Sequence, residues 1–257
     1  MQVSGKIKII KRRLLFAFAG LSLLIAAGCV QQGSPFIALN TTASACFLSA
    51  AGDPGLSLSM VEEILRPPAE DYSGSWVQKM VRVSVTSAPL VGEVSTTMTS
   101  FLRVQLSQEG TLLHMEADLC GLLSESDSER VITVIPQALI DAIPPIERTG
   151  QVGRIGEHHV MYWPTTTDIR GAQLENVWDA LPENEDDLRL QDQDGDGNPG
   201  VTIGVEGMVS GEMYVVQRLE ESYCGVSRDL DGINGVIEWQ LNQVVVGASN
   251  FMLNRQT

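Results

Sequence analysis

Downstream of Trp76 the chain alternates apolar and polar residues with a period of two. Val77, Val81, Val83 and Val85 share one face, and Arg82, Ser84 and Thr86 share the other. Successive side chains of a strand point to opposite faces, so the pattern predicts a half-buried β-strand with the valines inward. The next run repeats it, with Val94, Met98, Leu102, Val104 and Leu106 inward and Ser95, Thr97, Thr99, Arg103 and Gln105 outward. Glu109-Gly110 marks a turn, after which Leu113, Met115, Ala117 and Leu119 alternate against His114, Glu116 and Asp118. Further strand candidates are 131–135, 159–163, 201–207, 211–219 and 236–246, the last placing Ile237, Trp239, Leu241 and Val245 on one face.

About eight antiparallel strands with short turns predict a mainly β fold, either a barrel or a two-sheet sandwich. Residues 136–200 interrupt the meander with two helix-like stretches, 137–143 and 172–181, separated by Pro144-Pro145 and followed by an acidic loop. Ahead of the strands, Ser59 and Glu62 have capping-box spacing, and Pro67-Pro68 closes the short helix that this predicts. Residues 29–58 are rich in Gly, Ser, Ala, Thr and Pro, with Asp53 as their only charge, and read as a flexible tether. Residues 59–257 are then expected to form a single antiparallel β domain.

Residues 1–28 have the pattern of an export signal: a basic segment ending in Lys11-Arg12-Arg13, an apolar run from Leu14 to Ala27, then small residues. The run is about 14 residues, short of the roughly 20 that a spanning helix needs. The string Ile25-Ala26-Ala27-Gly28-Cys29 resembles a bacterial lipobox. That resemblance implies cleavage before Cys29, a diacylglyceryl group on its thiol, further acylation of the palmitate kind, and a membrane partner reached through the lipid. Val30 stands where such lipoproteins retained at the inner membrane carry Asp, so the resemblance implies the outer membrane. Each buried CH₂ contributes about 0.8 kcal/mol, so two or three acyl chains make a lasting anchor.

Charge alters the picture once the signal is set aside. The chain carries 17 Lys+Arg against 32 Asp+Glu, a net charge of −15. Five of the basic residues and no acidic one fall within the signal, leaving 12 against 32, or −20, for the remainder. Such acidity repels phosphate backbones, which argues against a nucleic-acid partner and favours divalent cations.

The acids concentrate at Asp192-Gln-Asp194-Gly-Asp196-Gly-Asn198-Pro-Gly200. Calcium takes six to eight oxygens, and alternating Asp residues on a glycine-rich backbone aim carboxylates at one point. The loop resembles the calcium repeats of thrombospondin type-3 and dockerin-type modules and the first half of an EF-hand. Asp192, Asp194, Asp196 and Asn198 are the candidate ligands. The twelfth position is Ile203 where an EF-hand has Glu, so further oxygens must come from elsewhere, with Glu183, Glu185, Asp186 and Asp187 as candidates. A second, fainter loop runs from Ser227 through Asp229, Asp231 and Gly232 to Glu238; it fits the EF-hand register, but its first ligand position is Ser and alternation from Val236 reads as a strand, so a hairpin turn is the preferred reading over a metal loop.

Beyond Cys29 there are three cysteines, Cys46, Cys120 and Cys224, which allow one disulfide and one free thiol in an oxidising envelope. Cys120 and Cys224 each close a strand-like run before a Gly, which favours that pair. No catalytic residue is singled out: G-x-S-x-G, HExxH, P-loop and G-x-G-x-x-G motifs are absent. His114 falls on a polar strand face, and His158-His159 would point to opposite sides. Gly74-Ser75-Trp76 resembles the Gly-x-Trp of lipocalin-like barrels, which implies an indole plugging one end of a meander and, as an alternative function, a carrier of a small apolar ligand. The expectation is a lipid-anchored envelope protein with a calcium-stabilised β domain and a binding or structural role, touching an envelope protein or an apolar molecule. A periplasmic calcium-dependent hydrolase is the alternative from another class.

Overall fold

The alternating runs pair into one long antiparallel ladder. The computed structural model describes residues 2–10, 70–88, 92–155, 158–227 and 232–254. Its strands are β1 (Gln2–Ile10), β2 (Gly74–Ala88), β3 (Gly92–Glu109), β4 (Leu112–Ser126), β5 (Val131–Val134), β6 (Ile146–Ile155), β7 (His158–Arg170), β8 (Val201–Gly207), β9 (Gly211–Ser227) and β10 (Gly232–Ala248), with one short helix, α1 (Gln137–Ala142). The order is β2-β3-β4-β6-β7-β9-β10, and β8 and β5 extend outward from β9. No direct pairing joins β2 to β10 among the described residues; β1 lies between them and pairs with both. The expected tether and N-terminal helix lie outside the described residues, as does nearly all of the expected signal apart from β1.

The meander reading of the first three strands holds. β2 pairs with β3 from Gly74↔Leu106 to Ala88↔Gly92, and β3 turns into β4 through Gly110, whose φ of +62° suits glycine. The inward face of β3 and β4 is as expected: Leu102, Val104, Leu106, Leu113, Met115 and Ala117 are all buried. In β2 the expected face is reversed. Trp76, Gln78 and Met80 are buried, whereas Val83 and Val85 are 40% and 42% exposed. The physical reason is twofold: Trp76 and Met80 remove more apolar surface from water than valines would, and Arg82, on their face, meets a buried carboxylate from another strand.

Two further expectations change. The break in the meander is shorter than 136–200, because β6 and β7 lie inside that span and form part of the ladder. The connection without strands is 171–200. Residues 137–142 are helical as expected, but 172–181 are turns and bends. There Asn176 accepts from the Trp178 amide at 2.9 Å, Asp179 accepts from the Asn176 amide at 3.0 Å, and Ala172 bridges Leu190. Side-chain acceptors of this kind offer the backbone an alternative to helical bonding.

The main core lies on the inner face, where Trp76, Leu102, Met115, Trp163, Tyr223 and Ile237 belong to one cluster. β9 is buried on both sides from Val215 to Leu219. Val215 packs with Leu139 of α1, Val201 and Ile203, while its neighbour Val216 packs with Ala172, Leu181 and Val246. Adjacent strand residues face opposite ways, so α1 covers one face of β9 and the 171–200 connection covers the other. This double cover seats the acidic loop on the ladder.

Candidate functional site

The acidic loop is built by its own carboxylates. Asp192 accepts from the amides of Asp196 at 3.1 Å and Gly197 at 2.9 Å, and Asp196 accepts from the Asn198 amide at 2.8 Å. Gly195, Gly197 and Gly200 take φ of +71°, +89° and +92°, which lets the chain turn at each step. Gly200 also approaches β9 so closely that a Cβ there would lie 2.6 Å from the Val215 carbonyl oxygen. Main-chain bonds close the base of the loop, from the Gly200 amide to Gln191 at 2.9 Å and from the Gln193 amide to Gly200 at 3.1 Å.

Three carboxylates converge. Asp192, Asp194 and Asp196 each offer an oxygen within 4.8 Å of the others, a group able to hold a metal ion. Asp194 Oδ2 accepts from the Thr202 amide at 2.8 Å, but its Oδ1 is buried with no hydrogen-bond partner. A buried carboxylate oxygen left unpaired costs about 1–3 kcal/mol or more, and a cation among the three would satisfy it. Thr202 Oγ1 donates to Asp196 at 2.5 Å. Burial of Asp196 pushes its pKa up, but hydrogen bonds from Thr202 and Asn198 outweigh that and hold the carboxyl below the usual range. Asp196 is therefore held as a carboxylate.

The expected ligands divide. Asp192, Asp194 and Asp196 are brought together, and Asn198 sits beside them, committed to Asp196 through its amide and side chain. The upstream acids do not join the group. Asp187 pairs instead with Arg189 at 2.7 Å, which lowers its pKa to about 2 through hydrogen bonds from that residue. Ile203 is buried in the β9 cluster, so the place of an EF-hand Glu is taken by core packing. Asp229 and Asp231 of the second loop lie outside the described residues, and Glu238 stands in β10 opposite Ser222. Sequence reading passed over Thr202, the residue that orients two of the three carboxylates; its place just after the last loop glycine is the only local signal.

The expected Cys120–Cys224 bridge does not form. Cys224 is a buried thiol inside β9 that takes no part in a disulfide, and Cys120, which occupies a bulge of β4 opposite Phe101 and Leu102, is disulfide-bonded. The alternation places both at strand ends, but each strand runs on past its cysteine. Cys29, the expected lipid attachment point, lies outside the described residues.

A second polar constellation was not foreseen. Glu221 of β9, buried on the inner face, is paired with Arg82 of β2 and with Arg148 of β6, the latter at 3.0 Å. Tyr223 donates to Glu221 at 2.8 Å, and the Arg148 guanidinium stacks 4.2 Å from the Tyr223 ring. Burial would raise the Glu221 pKa, but the charges of Arg82 and Arg148 and the hydrogen bonds from Tyr223 and Arg82 together hold it below the ordinary carboxylate value. The network ties strands that are not neighbours in the ladder, which places the meeting point inside a strongly curled sheet. Its one sequence signal is an acid two residues from Leu219 and Tyr223, on the face that alternation turns inward.

His159 is buried as well. Its Nδ1 is hydrogen-bonded to the Tyr72 hydroxyl, and its Nε2 lies 3.0 Å from Glu70 Oε2. His114 is exposed and lines a groove of about 590 Å³ with Gln105, Ser107, Glu116, Glu147 and Thr149. None of the three loop aspartates lines that groove. An inner void bordered by Gln78, Met115, Trp163 and Tyr223 measures about 10 Å³, room for about one water. Comparison with protein-family models, with curated proteins and with solved structures finds no match to this chain.

Proposed function

We propose that this protein is a lipid-anchored component of the bacterial outer membrane, with a β domain whose inserted connection is braced by calcium and a binding or structural role. The lipobox-like Ile25–Cys29 string and the preceding basic and apolar segments support the anchor. The unpartnered Asp194 Oδ1 between two further aspartates carries the metal reading. Calcium is the favoured ion because the donors are all hard oxygens, on a loop whose glycines permit a wide coordination shell. Asp192, Asp194 and Asp196 would hold it. The ion would offset their mutual repulsion and lock 192–200 to β9 through Thr202 and Gly200.

Thermal melting of the processed chain in EDTA and in millimolar calcium tests the metal. A ligand that binds only the native state stabilises it by about 2.7 kcal/mol at a hundredfold excess over Kd and so raises the midpoint. The rise is expected in the wild type and absent in Asp194→Asn; an unchanged wild-type midpoint overturns the calcium reading. For the anchor, Cys29→Ser is expected to abolish palmitate labelling and release the chain from membranes.

A further inference from the structure

The 171–200 connection holds more than the aspartate loop. Trp178 is 62% exposed and Leu188 wholly exposed, although both stand on a segment fixed at many points. Ala172 and Leu181 are buried beneath it, the Gln173 amide donates to Arg189 at 2.8 Å, and Arg189 Nη1 donates to the Ala180 carbonyl at 2.9 Å. Trp178 and Leu188 thus flank the two ends of one hydrogen-bonded junction. Arg218 supports the tryptophan from below, its guanidinium 6.0 Å from the ring and hydrogen-bonded to the Asp179 carbonyl. Large apolar side chains presented to water from a backbone that hydrogen bonds already brace are what a binding surface presents.

The surrounding charge identifies the partner. Glu175, Asp179, Glu183, Glu185 and Asp186 are exposed on the same segment, and its one basic residue, Arg189, is already engaged by Asp187. Anionic lipid headgroups would be repelled by these carboxylates, and so would a second copy of a chain with net charge −15. We propose that this face docks a Lys/Arg-rich polypeptide surface, with Trp178 and Leu188 as its apolar anchors and the carboxylates as its charged rim. The inference goes beyond the anchored, calcium-braced role and does not depend on the metal.

The other tryptophans are buried, Trp76 at 1%, Trp163 at 2% and Trp239 at 8% exposure, so acrylamide quenching of the processed chain reports mainly on Trp178. The probe is a synthetic Lys-Lys-Leu-Lys-Lys-Leu-Lys-Lys peptide, titrated in EDTA and again in calcium. Saturable binding that shields Trp178 is expected, weakened about tenfold or more by Trp178→Ala and by Leu188→Ser in calorimetry. Equal affinity in those variants would reduce the interaction to unspecific acidity and overturn the proposal. Absence of peptide binding, shielding of Trp178 by phosphatidylglycerol vesicles in its place, or shielding by self-association would each overturn it too. A melting shift with calcium but no peptide binding would leave the metal reading standing alone, which separates the two failures.

Discussion

Arg148 on β6 grips both ends of Glu221 on β9: Nη1 donates to its main-chain carbonyl and Nη2 to its carboxylate, each at 3.0 Å. The pairing of β7 with β9 is irregular at this level, jumping from Trp163↔Tyr223 to Thr166↔Glu221 across Pro164, which has no amide to give. Arg148 thus supplies a donor to Glu221 at the point where the ladder is irregular.

Breaking this network is expected to be costly. Glu221→Gln would leave the buried Arg148 guanidinium and the partly buried Arg82 guanidinium without their counter-charge, for a loss of about 3–5 kcal/mol in urea unfolding at neutral pH. Replacing Arg82, Arg148 and Glu221 together by Leu, Met and Leu is expected to recover most of it, because desolvation of the charges disappears with them. The folded pKa of Glu221 is depressed, so its contribution is present above the ordinary value of 4.5 and is lost as pH falls through the folded value. The gap between wild type and Glu221→Gln should therefore narrow only in strong acid.

His159 governs a milder range. Burial pushes its pKa down, Glu70 opposes that, and Arg154 and His158 add to it, while Tyr72 faces the ring edge-on at 5.3 Å. The folded state favours the neutral ring, so stability is highest above the ordinary value of 6.5 and falls as pH drops below it toward the folded value. Urea midpoints measured between about pH 7.5 and 5.5 should decline, and His159→Asn should flatten the decline within that range. A wild-type midpoint that does not change with pH would contradict the burial of a neutral ring.

Two loop glycines of similar backbone should respond differently to alanine. At Gly197, φ is +89° with open space around the site, so Gly197→Ala should cost about 1–2 kcal/mol of backbone strain alone. At Gly200, φ is +92° and the new Cβ would meet the Val215 carbonyl at 2.6 Å, so the chain must move off β9. Gly200→Ala should therefore unfold at clearly lower urea, and it should weaken calcium binding more than Gly197→Ala, because Thr202 orients Asp194 and Asp196 from the next turn of chain.

Export processing would remove β1. Residues 2–10 pair with 232–240 of β10 and, through 6–10, with 77–81 of β2. If the signal is cleaved before Cys29, those segments lose their shared neighbour. Amide hydrogen exchange of the processed chain should then be faster at 77–81 and 232–240 than in the unprocessed chain, with β3 and β4 unchanged. Equal protection in both forms would mean that another strand, or direct pairing of β2 with β10, takes the place of β1.

Much of this molecule is legible in short stretches of sequence. Period-two alternation in 92–119 located β3 and β4 and their inward faces, because it follows from backbone geometry that neighbouring residues settle among themselves. The three aspartates that converge lie within five residues of one another, so spacing alone brings them together. The same reasoning inverted β2: valine looks inward and arginine outward until the partner of Arg82 is known, and that partner, Glu221, stands 139 residues away. It also read 172–181 as helix, since the bridge from Ala172 to Leu190 and the cover over Val216 are long-range facts. Cys120 and Cys224, both next to glycines, could be judged a pair only until β9 placed Cys224 within its own buried strand. The strand class and the acidic loop, and the proposal of export, rest on contiguous residues. Which face of β2 turns inward, which carboxylate is buried between two arginines, and which tryptophan is left in water were decided by tertiary structure, because each depends on what distant strands bring to the same point.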